Sequence, residues 1–183
     1  WCFWDYSILE LEGKTAGIIG LGRIGKITAR ILRAFGMKIL AYDMEQDAAW
    51  ANADCRYTDL ATLYAASDVI FLHCPLFAGN QHMICRASIE KMKDGVLLVN
   101  NSRGGLVDDQ ALADALNSGI IAGAGLDAIE IEPIAMDSPL LSAKNCIITP
   151  HISWAALECR KRLQETAIEN VRSYLSGNVV NCV

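Results

Sequence analysis

The stretch GIIGLGRIGKITARILRAFGMKILAYD, Gly17 to Asp43, sets three glycines at the junction of an apolar run and a helical pattern, and closes its second apolar run on an acid. Gly20, Gly22 and Gly25 stand in the order G-x-G-x-x-G. The first glycine permits a tight strand-to-helix turn. The second removes the Cβ that would keep a phosphate from the backbone, and the third lets the helix pack close to the strand. Free N–H groups at the helix start, together with the helix dipole, then attract an anion. Asp43 falls 18 residues after Gly25, where a carboxylate accepts hydrogen bonds from the ribose hydroxyls of an adenine dinucleotide and repels a 2′-phosphate. Neither Met44 nor Glu45 supplies an arginine to reverse that preference, so the stretch predicts NAD and not NADP. A glycine motif alone is a weak signal; here the strand, the helix face and the spaced acid agree.

The same alternation runs along the rest of the chain. TAGIIG (15–20), MKILAY (37–42), DVIFLHC (68–74), GVLLVN (95–100), IAGAGLD (121–127) and CIITP (146–150) read as short strands, nearly continuous in apolar character, as strands buried on both faces must be. Helical patterns lie between them. Ile24, Ile27, Ile31, Leu32 and Phe35 share one helix face that stops at Gly36. Thr58 or Asp59 caps a short helix through Tyr64, and Ser88 to Met92 forms another. Asp108 caps a helix closing on Gly119, and Ser153 caps a long last helix with Leu163, Ala167, Val171, Tyr174 and Leu175 on one side. This alternation predicts an α/β fold, a doubly wound parallel sheet. The longest irregular stretch runs from Glu130 to Leu140.

The 183 residues, 52% of them hydrophobic, suffice for one domain with a substantial core. A net charge of −5, with no basic stripe interleaved with aromatics, argues against a nucleic-acid partner. No apolar run approaches the ~20 residues of a membrane span. Seven cysteines form no C-x-x-C pair and three histidines stand singly, so no metal site is expected; the cysteines read as free, mostly buried thiols of a reducing, cytoplasmic compartment. The chain opens WCFWDYSILELEGKTAG without a methionine and reads as a piece of a longer protein. Trp1, Phe3 and Trp4 suit either an interface between subunits or packing against the domain's own sheet.

Three stretches beyond the midpoint place polar groups at strand ends, where open α/β sheets bind ligands. In VNNSRGGLVDD, Arg103 precedes two glycines, and its guanidinium suits bidentate capture of a carboxylate. In GLDAIEIEPIAMDSPL, Glu132 precedes Pro133; taken alone it reads as a solvated acid. In ITPHISW, His151 follows Pro150; an imidazole is a natural proton donor to a carbonyl receiving hydride, and on local grounds a packing or capping histidine fits equally.

Taken in order, GKTAGIIGLGRIG, AYD, HCPL, NNSRGGLVDD, GAGLDAIEIEP and ITPHISW closely resemble the nucleotide-binding domain of the D-isomer-specific 2-hydroxyacid dehydrogenases. WDYSILELEGKTAGIIGLGRIG and Trp154 after His151 look most like the glycerate dehydrogenase (hydroxypyruvate reductase) branch. The resemblance implies a Rossmann-type NAD-binding domain over residues 1–176, with residues 177–183 a C-terminal tail returning to a substrate domain most of which is absent. It implies that Arg103 holds the carboxylate and carbonyl oxygen of a small 2-hydroxy or 2-keto acid, that His151 is the general acid/base, and that Glu132 is its partner. Arg23 and Ile24 would lie at the pyrophosphate, Cys74, Pro75, Asn101, Ser102 and Arg103 would line the nicotinamide pocket, and Asp127 would sit near the carboxamide. His73 and His82 are left as structural. The resemblance also implies a homodimer. Asn101-Ser102 stands where the family often has Thr-Ala or Thr-Ser, and Asn80-Gln81 where a Thr is common. The rival reading is an NAD-sensing corepressor-like binding protein on the same fold. A formate-type dehydrogenase is disfavoured because Glu132 stands where those enzymes usually carry Gln.

Overall fold

The computed structural model describes residues 8–52 and 54–182; Trp1, Phe3 and Trp4 lie outside them. The chain forms two compact units, Trp1–Thr149 and Pro150–Val183. In the first, seven strands pair: β1 (Thr15–Ile19), β2 (Lys38–Tyr42), β3 (Cys55–Tyr57), β4 (Val69–Leu72), β5 (Val96–Asn100), β6 (Ile121–Leu126) and β7 (Cys146–Ile148). All neighbours are parallel, in the order β3-β2-β1-β4-β5-β6-β7. The chain steps outward from β1 through β2 to β3, returns to lay β4 against the other side of β1, and steps outward again. The order therefore reverses between β1 and β4, and ligands of open α/β sheets bind beyond the strand ends at such a point.

Helices α1 (Arg23–Ala34), α2 (Leu60–Ala66), α3 (Arg86–Ile89) and α4 (Asp109–Ser118) supply the crossovers. Strand residues alternate between two cores. Ile19, Leu40, Ile70, Leu72 and Leu98 pack with Leu63 and Tyr64 of α2 and with Leu112 and Leu116 of α4. Ala16, Ile18, Ile39, Ala41 and Val69 pack with Ala29 of α1. Burial on both faces is why the strands read as unbroken apolar runs. The helix ends follow from local chemistry. Asp59 accepts the Thr62 N–H at 2.8 Å and Asp108 that of Ala111 at 3.0 Å, each satisfying an orphan donor of the first turn. Gly119 takes a left-handed φ of +84° to close α4.

Several expectations change. The edge strand β3 is an addition to the six expected. The stripe Ile24, Ile27, Ile31 and Phe35 is 54–63% exposed; α1 meets the sheet through Gly25 and Ala29, its two buried residues. The short helix expected from Ser88 to Met92 is instead Arg86–Ile89. In the second unit, α5 (Leu157–Leu175) starts after Ala156 and not at Ser153, and none of its residues is buried. Of the six described cysteines, all free, only Cys55 is buried. No described helix is long and apolar enough to cross a membrane.

The closeness of α2 to β1 depends on Gly17. A Cβ there would come within 2.6 Å of Leu63 Cδ2 and 2.9 Å of its Cγ, and Leu63 is fully buried. Gly17→Ala should cost about 1–3 kcal/mol, lowering Tm by about 2–4 °C per kcal/mol in a thermal melt; an unchanged melt would show that Leu63 can give way.

Candidate active site

The first strand delivers the chain into the glycine turn. Gly20 adopts φ +96°, and a Cβ on it would press within about 2.7 Å of the His73 carbonyl and the Cys74 nitrogen. The turn thus lies directly against the end of β4. A Cβ on Gly25 would fall onto the Gly20 carbonyl oxygen, so α1 can start this close to β1 only with glycine there. Gly22 differs: a Cβ on it would meet nothing within 4 Å. It is the residue preceding α1 and receives no side-chain cap. Its bare backbone lines an open cleft of about 540 Å³ together with Gly20, Asp43, His73, Cys74 and Pro75. That combination fits a pyrophosphate: helix-start N–H groups without a capping acceptor, and no side chain to keep the ligand away.

Asp43 follows β2 on the same cleft. One carboxylate oxygen accepts the Leu21 N–H at 2.7 Å and the other the Glu45 N–H at 3.2 Å. The acid therefore pins the glycine turn from the neighbouring strand while lining the cleft. Arg23 and Ile24 open α1 and are both exposed.

The far wall is built on hydrogen bonds that sequence reading did not identify. Asn100, fully buried at the end of β5, accepts the Ser102 N–H at 3.1 Å and donates to the Arg103 carbonyl at 3.0 Å. A side-chain amide thus shapes the turn that carries Arg103. The Ser102 hydroxyl donates to the Cys74 carbonyl at 2.6 Å, tying the β5 turn to the β4 end. Asn80 donates to the Pro75 carbonyl at 2.8 Å and accepts the Phe77 N–H at 2.8 Å, so the departure from threonine supplies its own loop closure. His73 Nε2 lies 3.0 Å from Thr28 Oγ1 of α1 and its ring stacks on Phe71. Burial lowers its pKa, and burial likewise raises that of the Cys74 thiol, so both groups are held in their neutral forms.

Arg103 is exposed, its guanidinium donating to the Ser102 carbonyl at 2.8 Å. Asp127, 7% exposed, follows β6; its N–H donates to the Asn100 carbonyl at 2.8 Å and its carboxylate accepts the Thr149 hydroxyl at 2.6 Å. Glu132 turns a carboxylate oxygen to the Ile129 N–H at 3.3 Å. His151 follows β7 in sequence, belongs to the second unit and takes a left-handed φ of +54°. The first unit thus brings Gly20, Gly22, Asp43, Cys74 and Pro75 onto one cleft, with Asn101 to Arg103 and Asp127 joined to its wall through Asn100 and Ser102.

A Rossmann-type dinucleotide domain is the class that this turn, cleft and strand order define. The model of the D-isomer specific 2-hydroxyacid dehydrogenase NAD-binding domain matches residues 3–153, and the chain belongs to that family. It is 56% identical to a hydroxypyruvate reductase of Blautia hydrogenotrophica over the whole chain and 57% of that protein. To a glycerate dehydrogenase of Methylorubrum extorquens it is 40% identical, over all of this chain and 56% of the other. The crystal structure of a D-lactate dehydrogenase from Aquifex aeolicus, complexed with NAD and lactic acid, superposes with a TM-score of 0.88 at 38% identity, covering 97% of this chain and 58% of that one. The chain spans little more than half the length of these relatives.

Beside the β5 turn, Asp109 at the start of α4 has its pKa raised to about 6, first by burial and then by the charges of Glu130 and Asp108. A carboxyl whose folded pKa exceeds its unfolded value near 3.8 favours the folded state at low pH, and that contribution is lost as pH rises through 6. Asp109 is only half-buried, so solvent screening reduces the effect. Asp109→Asn should raise Tm by about 2–4 °C at pH 8, a gain that fades between pH 6 and pH 4. A gain independent of pH would sink the electrostatic cause.

Proposed function

We propose that this chain is the cofactor-binding half of an oxidoreductase that interconverts a D-2-hydroxy acid and its 2-keto acid through NAD(H), with a glycerate/hydroxypyruvate-like substrate. The observation that carries the reading is the bare Gly22 backbone facing the same cleft as the Asp43 carboxylate: one end suits a pyrophosphate and the other a ribose diol. Its relatives' names as hydroxypyruvate reductase and glycerate dehydrogenase support the substrate class. NADH supplies the hydride. Arg103 binds and orients the substrate carboxylate and polarises the carbonyl, His151 delivers the proton to the carbonyl oxygen, and Glu132 fixes the orientation of that imidazole. Arg23 and Ile24 would flank the pyrophosphate. Cys74, Pro75, Asn101, Ser102 and Arg103 would line the nicotinamide pocket, with Asp127 near the carboxamide. Residues 1–176 would form the cofactor domain and 177–183 the tail. A homodimer in the cytoplasm accompanies this reading.

NAD(H) should bind in preference to NADP(H), because Asp43 opposes a 2′-phosphate. Titrating both reduced cofactors by nicotinamide fluorescence checks this, and equal affinities would refute it. Asp43→Ala should weaken NADH by roughly 1.5–3 kcal/mol, the cost of a lost charged hydrogen bond, and narrow the gap.

In the protein at its natural length, His151→Ala should lower kcat for hydroxypyruvate reduction by about 10²–10⁴ with NADH affinity nearly intact. Glu132→Gln should lower kcat with NADH affinity intact, because the imidazole loses the group that orients it. A kcat unmoved by Glu132→Gln would remove that acid from the mechanism.

A further inference from the structure

The turn that carries Arg103 is gripped from two sides, and the two sides are joined to each other. On one side, the His82 N–H donates to the Gly105 carbonyl at 2.8 Å, the Ile84 N–H to the Leu106 carbonyl at 3.0 Å, and the Asp108 N–H back to the Ile84 carbonyl at 2.9 Å. On the other, Gly104 is packed so tightly that a Cβ would fall onto the Ile129 carbonyl group. Across the turn, His82 Nε2 lies 2.6 Å from Glu130 Oε1. This bond links the 82–84 segment to the 129–130 segment and closes a ring around Gly104 and Gly105.

Two details mark the ring as more than surface decoration. His82 holds φ +50°, a left-handed conformation disfavoured for a residue with a Cβ and one that persists where its surroundings over-determine it. Glu130 stands two residues before Glu132, whose carboxylate returns to the Ile129 N–H. A single contact at Glu130 therefore bears on the Arg103 turn and on the Glu132 loop together. The other ionisable groups acting on this corner are Asp109 and Asp108. Both are acidic and oppose Glu130, and the hydrogen bond to His82 holds it at this corner.

We infer that His82 and Glu130 are positioning residues: their bond is a latch that fixes the spacing of the Arg103 guanidinium and the Glu132 carboxylate for the substrate. Neither touches the dinucleotide cleft, whose walls are other residues. The inference rests on the dehydrogenase reading above. Breaking the latch loosens Arg103 in every state that holds the substrate carboxylate, so it acts on KM for the keto acid and leaves cofactor binding alone.

The test uses the protein at its natural length, with hydroxypyruvate and glyoxylate as substrates, and compares wild type with His82→Ala, Glu130→Ala, the double variant and Glu130→Gln. Each alanine variant should raise KM about tenfold, as expected for loss of one charge-assisted hydrogen bond, while kcat moves less and NADH affinity stays within about twofold. The double variant should be no worse than the poorer single one, because both remove the same bond. Glu130→Gln, which can still accept from the imidazole, should recover most of the loss. Additive effects, or equal changes in KM and NADH affinity, would reduce the pair to general stability and overturn the latch. Unchanged KM in well-folded variants would overturn it too. A wild type that reduces neither keto acid would instead overturn the dehydrogenase reading, and the latch with it.

Discussion

The backbone contact between the first glycine turn and the end of β4 is the constraint on which the cofactor cleft depends. Gly20 lies against the His73 carbonyl and the Cys74 nitrogen with no room for a Cβ, and Asp43 holds the same turn from β2 through the Leu21 N–H. Three strand ends, those of β1, β2 and β4, are therefore locked around one loop. Gly22, the next glycine along the chain, is left facing open space. Crowding at Gly20 and Gly25 and vacancy at Gly22 are two consequences of one arrangement. The motif removes side chains where backbone must meet backbone, and again where backbone must meet ligand.

From that lock the wall of the cleft propagates by polar links between consecutive strand ends. Ser102 ties β5 to β4 through the Cys74 carbonyl, Asn100 shapes the Arg103 turn, the Asp127 N–H ties β6 to β5, and Thr149 ties β7 to β6. A parallel sheet satisfies its backbone groups along the strands but leaves them open where the strands stop. Asn100, Ser102, Asp127 and Thr149 close that row, which explains why polar side chains buried or half-buried at this edge follow strands that are otherwise apolar.

The doubly wound parallel sheet and most of the glycine logic were legible in the sequence because they depend on local spacing; the order of the strands, which depends on long-range pairing, was not. Continuous apolar runs marked six strands. The seventh, β3, is three residues of an edge, with Arg56 exposed between Cys55 and Tyr57, too short to register as a run. The α1 stripe misled for a physical reason: tight packing on β1 selects Gly25 and Ala29 as the buried face, with Leu32 partly buried against the same core, and leaves Ile24, Ile27, Ile31 and Phe35 exposed. The spaced acid Asp43 was readable as a ribose partner, but not as the anchor of Leu21, because that role requires knowing which strands are neighbours. Asn100 read as the last residue of an apolar strand, and only its burial and hydrogen bonds reveal its function in the turn. His82 and Glu130, 48 positions apart, carry no shared pattern at all. Their meeting follows from β4, β5 and β6 lying side by side.

The chemistry of the corner beside Arg103 follows from its charge balance. Asp108 and Asp109 stand at the start of α4, where the helix dipole favours negative charge, and Glu130 approaches them from the loop after β6. Three acids in one place oppose one another, and that opposition adds to the burial that is the first cause of the raised pKa of Asp109, about 6. The cluster persists because each acid has a separate local hold. Asp108 accepts the Ala111 N–H as the cap of α4, Asp109 accepts a backbone hydrogen bond from the Glu130 segment, and Glu130 meets His82. Arg103 is exposed, and its guanidinium donates to the Ser102 carbonyl within its own turn.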